Sequence, residues 1–111
     1  MVSVEQINDL TARVERLQTS IDVEQRLIDL RNEQERTEEP NFWDDPEAAR
    51  KQLKKVADIK AVIDDFEAVR RAVDDISLIP DFVVEGVLTE AEAEAQYATA
   101  LANVEKLELK Q

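Results

Sequence analysis

The sequence predicts an all-α fold, an elongated antiparallel bundle of three to four helices. Three observations carry this. Apolar residues recur at alternating spacings of three and four along most of the 111-residue chain, the signature of helices with one buried face. The composition, 36% charged and 5% aromatic with one glycine, suits long surface helices better than sheets or barrels. The three prolines, Pro40, Pro46 and Pro80, stand where the periodic segments stop, which favours a chain folded back on itself over an oligomeric coiled coil, the alternative that the first seam leaves open.

The first helix opens at Ser3, which with Gln6 forms a capping box. Ile7, Leu10, Val14, Leu17 and Ile21 then make one seam. Asp22 with Gln25 repeats the capping pattern, so this arm reads either as one helix of about 50 Å or as two helices broken near Asp22. Val23, Leu27, Ile28 and Leu30 resume the stripe, and the segment from Arg31 to Glu39 is polar.

Pro40-Asn41-Phe42-Trp43-Asp44-Asp45-Pro46 ends the arm. Pro40 disfavours helix at Glu39, Pro46 suits the first turn of a new helix, and Asp44 or Asp45 can cap that helix. The expectation is a structural corner of Pro40, Phe42, Trp43, Asp44, Asp45 and Pro46 in which the rings of Phe42 and Trp43 form a buried local plug, with an interface hot spot for a partner as the alternative reading. A long helix follows, with Leu53, Val56, Ile59, Ile63, Phe66, Val69, Val73 and Ile76 on its seam. Ser77 to Pro80 ends or bends it. Periodicity does not settle residues 78–88, which read as a connection with room for a short helix. Thr89 with Glu92 caps the last helix, whose seam reads as Tyr97, Leu101, Val104 and Leu107. Leu107 and Leu109 so close to the last residue suggest a domain boundary there.

The net charge of −12 opposes autonomous binding to nucleic acid, since the phosphate backbone would be repelled, and opposes docking on an anionic membrane. With no cysteine and no histidine, thiol, disulfide and imidazole chemistry are excluded. One glycine rules out a phosphate-binding loop, and no serine sits in a nucleophile context. No cofactor, metal or catalytic residue is expected. No apolar run reaches transmembrane length, and the first residues lack the pattern of a signal peptide, which points to the cytoplasm. Asp44 and Asp45 side by side are explained by capping rather than by a catalytic carboxylate pair. The one basic cluster is Arg50, Lys51, Lys54 and Lys55, continued by Lys60. It reads as a solvated helix face or as a contact with an acidic partner or RNA.

The run Pro-Asn-Phe-Trp-Asp-Asp-Pro-Glu-Ala-Ala-Arg-Lys from Pro40 to Lys51 resembles the first corner in the N-terminal helical domain of the bacterial peptide chain release factor 2 family. Ile7-Asn8-Asp9-Leu10 before it, Glu38-Glu39-Pro40 leading into it, and Leu88-Thr89-Glu90 and Val104-Glu105-Lys106-Leu107-Glu108-Leu109-Lys110 after it keep the same order. The resemblance implies that residues 1–111 are one N-terminal domain. It further implies that the family's stop-codon tripeptide, Ser-Pro-Phe, and its hydrolytic Gly-Gly-Gln loop lie outside this chain, which has no serine before a proline and a single glycine. In the family this domain sits near the stalk base of the large ribosomal subunit, while other domains read UAA or UGA and promote peptidyl-tRNA hydrolysis. The implied role is therefore positioning on the ribosome during translation termination. The glutamine methyltransferase of the family and accessory termination factors are further candidate partners. A standalone helical adaptor or regulator without catalytic domains is the alternative reading.

Overall fold

The computed structural model describes all 111 residues and is all-α. Its elements are α1 (Val4–Ile21), α2 (Val23–Thr37), a short 3₁₀ turn (Phe42–Asp44), α3 (Pro46–Ile76), α4 (Ile79–Val84) and α5 (Glu90–Leu109). They fall into two compact units. A core unit comprises Met1–Ile21 with Phe66–Gln111, and a hairpin unit comprises Asp22–Asp65.

The core unit is a small helical bundle of α1, the second part of α3, α4 and α5. The Ser3 capping box is complete: Ser3 Oγ accepts from the Gln6 N–H at 3.1 Å, and Gln6 Oε1 accepts from the Ser3 N–H at 2.9 Å. Ile7, Leu10, Val14, Leu17 and Ile21 are all buried, as their spacing predicts. They meet Phe66, Val69, Val73 and Ile76 of α3 in the same core, where the side chains of Leu10, Phe66, Ile79 and Val104 are sealed from solvent. Burying each such side chain contributes about 1.5–3 kcal/mol. Polar contacts fix the helix directions. The Met1 ammonium meets Glu94 at 2.8 Å, and Arg13 grips Glu108 through two hydrogen bonds of 2.6 and 3.0 Å, so α1 and α5 run parallel. Gln18, late in α1, accepts from Arg70. Val2, just before α1, shares a crevice with Ile79, just after α3. α1 is thus antiparallel to α3.

Two stretches of this unit are sharpened by the structure: residues 78–88, read as a connection with room for a short helix, and the seam of α5. Residues 78–88 do hold a short helix, α4. Pro80 lies in the first turn of α4, where its missing N–H costs nothing and its fixed φ suits the helix. The helix closes at Gly86, the one glycine, at φ 74°, with the Val87 N–H reaching back to the Phe82 carbonyl at 2.8 Å. In α5 the Thr89–Glu92 capping box forms as read, but the buried line is Ala93, Ala100, Val104 and Leu107. Tyr97 and Leu101 are half-buried flanks. Alanine lets the helices approach closely, so the face with small residues turns inward.

The hairpin unit begins with a true break. Asp22 takes the left-handed conformation (φ 55°, ψ 58°) and caps α2 by accepting from the Gln25 N–H at 3.4 Å. The capping box is only half made, because the Gln25 side chain donates to Asp29 at 2.9 Å instead. A reciprocal box needs an extended cap residue, and Asp22 is not extended. The stripe along α2 is also incomplete. Val23 is buried, but Leu27 and Ile28 are half exposed, because a single neighbouring helix covers only one side of α2. α2 and the first part of α3 are antiparallel: the Gln52 side-chain amide donates to the Glu33 backbone carbonyl at 2.9 Å across them. On α3, Ala49 and Ile63 are buried, Val56 and Ile59 are half-buried, and Leu53 is exposed.

A candidate docking surface on the hairpin

The corner between α2 and α3 is built from backbone turns. The Phe42 N–H donates to Glu39 at 3.0 Å and the Asp44 N–H to Asn41 at 3.1 Å, which winds residues 42–44 into a 3₁₀ turn. Of the two aspartates, Asp45 is the cap. Its Oδ1 accepts from the Ala48 N–H at 3.1 Å, and its carbonyl accepts from the Ala49 N–H at 2.9 Å. Asp44 lies in the turn and is exposed. Pro40 and Pro46 bracket the corner, and α3 starts at Pro46.

The buried plug is not there. Trp43 is 68% exposed, and Phe42 is half-buried. Successive residues of a 3₁₀ turn point about 120° apart, so two adjacent rings cannot both face inward. Phe42 and Trp43 instead meet edge to face, with centroids 5.0 Å apart and planes at 83°. An exposed indole held in place by a neighbouring ring is what a partner-binding residue looks like, since tryptophan is among the residues that dominate interfaces.

The basic cluster lies on the outer side of the first turns of α3, and most of it is engaged. Arg50 pairs with Glu47, Lys54 with Asp58 at 2.8 Å, and Lys55 with Glu33 at 3.0 Å. Lys51 makes no ion pair and is exposed. The pairs of Arg50 and Lys54 are exposed, each worth at most about 1 kcal/mol, so a polyanionic partner could open them at little cost.

Sequence reasoning missed Glu33, a charged residue only 7% exposed. Lys55 holds its carboxyl below the usual glutamate range by a charged hydrogen bond, against the opposing effect of burial, and Gln52 and Arg36 add to the lowering. The signal was legible. Glu33 continues the phase of Val23 and Leu30, so it sits on the inner face of α2 even though its neighbours from Arg31 to Glu39 are polar.

No three His, Cys, Asp or Glu side chains converge as a metal site, and no buried side-chain nitrogen or oxygen lacks a hydrogen-bond partner. No helix is long and apolar enough to cross a membrane.

No protein-family model matches the chain. Two curated relatives are similar to it over nearly its whole length. Peptide chain release factor 2 of Streptomyces avermitilis is 28% identical over 108 residues, covering 96% of this chain and 29% of its own. Peptide chain release factor 2 of Corynebacterium diphtheriae is 27% identical over 109 residues, covering 97% and 29%. The resemblance read from the corner and its flanking helices is thereby borne out. The chain spans less than a third of the length of these relatives.

Proposed function

We propose that this chain is a non-catalytic docking domain for translation termination, equivalent to the N-terminal helical domain of release factor 2. Its job is to position a termination factor on the ribosome near the stalk base of the large subunit, in the cytoplasm. Stop-codon reading and peptidyl-tRNA hydrolysis belong to other domains of such a factor. The observation that carries this reading is the likeness to release factor 2 across 96% of the chain, which has neither a Gly-Gly-Gln nor a Ser-Pro sequence. The corner supports it: Trp43, Lys51, the loosely paired Arg50 and Lys54, and Lys55 are all exposed on the hairpin unit. The glutamine methyltransferase and accessory termination factors of the family are further partners that such a surface could meet.

The test is competition on ribosomes stalled at a stop codon. Excess chain should slow peptide release by whole release factor 2 and should release nothing by itself. Release by the chain alone would overturn its non-catalytic assignment. Undiminished release at saturating chain, together with no co-sedimentation with ribosomes, would overturn the docking role.

A further inference from the structure

The core unit holds an apolar crevice of about 150 Å³, bordered by Met1, Val2, Ile79, Pro80, Val83, Val84 and Ala93. A dry cavity of about this volume is large enough for a benzene ring. Its surroundings are apolar and open to solvent. Val84 is 88% exposed and Val87, just beyond, is 61% exposed. α4 is too short to cover these side chains, so the crevice is a socket on the surface rather than part of the sealed core.

The charge around it is predominantly negative, the one cation at its edge being the Met1 ammonium, which pairs with Glu94 at 2.8 Å. Between Arg71 and Lys106 the chain carries no basic residue. Glu90 stands on the rim of the crevice, and Asp81 and Glu85 adjoin Pro80 and Val84 in sequence. All three carboxylates are exposed and none forms an ion pair, whereas Glu94 is occupied by the Met1 ammonium. With Asp81, Glu85, Glu90 and Glu94 set against the single Met1 ammonium, the balance around the socket is acidic, which disfavours a phosphate backbone and favours a cationic ligand with one apolar group.

We infer that this crevice is a docking socket for a basic segment of another protein, which inserts one Leu- or Phe-sized side chain between α4 and the start of α5 while its lysines or arginines meet Asp81, Glu85 and Glu90. This goes beyond the hairpin surface and does not depend on it. The socket stands on its own shape and charge whether or not the chain serves termination.

Titration of the ¹⁵N-labelled full chain with a short lysine-rich peptide carrying one central Phe tests the socket. The expected result is saturable shifts confined to the amides of Ile79, Val83, Val84 and Ala93. Replacing the Phe by Ser should weaken binding at least about tenfold, as loss of an interface anchor does. The paired change Asp81→Lys and Glu85→Lys should also weaken it about tenfold or more. Glu35→Lys with Glu47→Lys, the same charge change in the hairpin unit, should not. Val84→Asp alters a side chain already in solvent, so the variant should fold and bind poorly. Equal affinity for the Phe and Ser peptides, absent shifts at these amides, or shifts caused by polyuridylate instead would overturn the inference. So would concentration-dependent shifts of the same amides without peptide, which would assign the socket to a second copy of the chain. Ribosome competition is read separately, so failure of the socket and failure of the docking role remain distinguishable.

Discussion

Along α3 the apolar residues keep one spacing from Leu53 to Ile76, yet their fates differ. Phe66, Val73 and Ile76 are at most 3% exposed, whereas Leu53, in the hairpin unit, is 42% exposed. The same contrast separates the first two helices. Every seam residue of α1 is buried, while Leu27 and Ile28 of α2 stand about half in solvent. The cause is the number of neighbours. In the core unit α1, α3, α4 and α5 surround a common interior, so a wide apolar stripe is covered from several sides. In the hairpin unit two helices cover one narrow stripe of each other. Apolar periodicity therefore reports that a face could be buried, and the number of packed helices decides whether it is.

The largest effect should come from exploiting this difference directly. Phe66→Ala should destabilise the chain by about 3–5 kcal/mol, because a sealed ring is replaced by a cavity. Leu27→Ala should cost under about 1 kcal/mol, since much of its side chain already meets water. Urea denaturation followed by circular dichroism measures both. Equal losses would mean that the hairpin unit is sealed in solution. Hydrogen exchange sharpens the same point: amides of α2 should open at lower free energy than those of α1 and α5.

Much of this was legible in the sequence. The all-α class, the start of α3 at Pro46 and both complete capping boxes follow from local rules that involve only a few neighbouring residues, whereas the pattern at Asp22 leaves one helix or two open and the structure shows two. The misreadings share one feature: each depended on what lay across space. Trp43 was read as a plug from its size, but a 3₁₀ turn has room to bury only one of two adjacent rings. The spacing of large residues points to Tyr97 and Leu101, and the alanines of α5 permit close packing, but which of the two faces turns inward depends on the neighbouring helices, and Ala93 and Ala100 are the ones buried. Periodicity does not settle α4, because six residues are too few to show a period. Of the candidate surface, the basic residues were legible as a group, but their pairing with Glu33, Glu47 and Asp58 was not.

A second prediction compares the charged clasp of each unit. Arg13 holds the Glu108 carboxyl below the usual glutamate range in the core unit, as Lys55 holds Glu33 in the hairpin unit. A depressed folded-state value stabilises the fold above the unfolded glutamate pKa. That contribution is lost as pH falls through the folded value. With 26 carboxylates and a net charge of −12, acid also relieves self-repulsion, so the raw stability curve mixes two opposed effects. Difference curves separate them. The stability gap between the parent chain and Glu108→Gln, and that between the parent and Glu33→Gln, should each be widest near pH 7 and shrink as pH falls below about 4.3. A gap that is flat with pH would show that the clasp does not hold in solution.

Third, Trp43→Ala should cost less than about 1 kcal/mol, not the 3–5 kcal/mol of a buried ring. Trp43 is the only tryptophan, so its fluorescence reports this site alone. Red-shifted emission and ready quenching by acrylamide are expected in the folded chain. A blue-shifted, protected indole would instead place the ring in a contact within the hairpin unit, or between copies if the shift grows with concentration.

The smallest effect should come from Asp22→Gly, at the first residue of the hairpin unit. A non-glycine residue in the left-handed region carries about 1 kcal/mol of backbone strain, offset here by the cap it provides to the Gln25 N–H. Glycine removes the strain, keeps most of the capping preference, and loses more entropy on folding. These terms nearly cancel, so Asp22→Gly should change stability by less than about 0.5 kcal/mol. Asp22→Val keeps the strain, worsens it by β-branching and deletes the cap, so it should cost about 2 kcal/mol. The decisive quantity is the gap between the two variants, measured by the same urea titration. If glycine and valine behave alike, Asp22 is not held left-handed in solution and α1 runs on into α2. The break would then be a preference that neighbouring packing can override, rather than a fixed property of the chain.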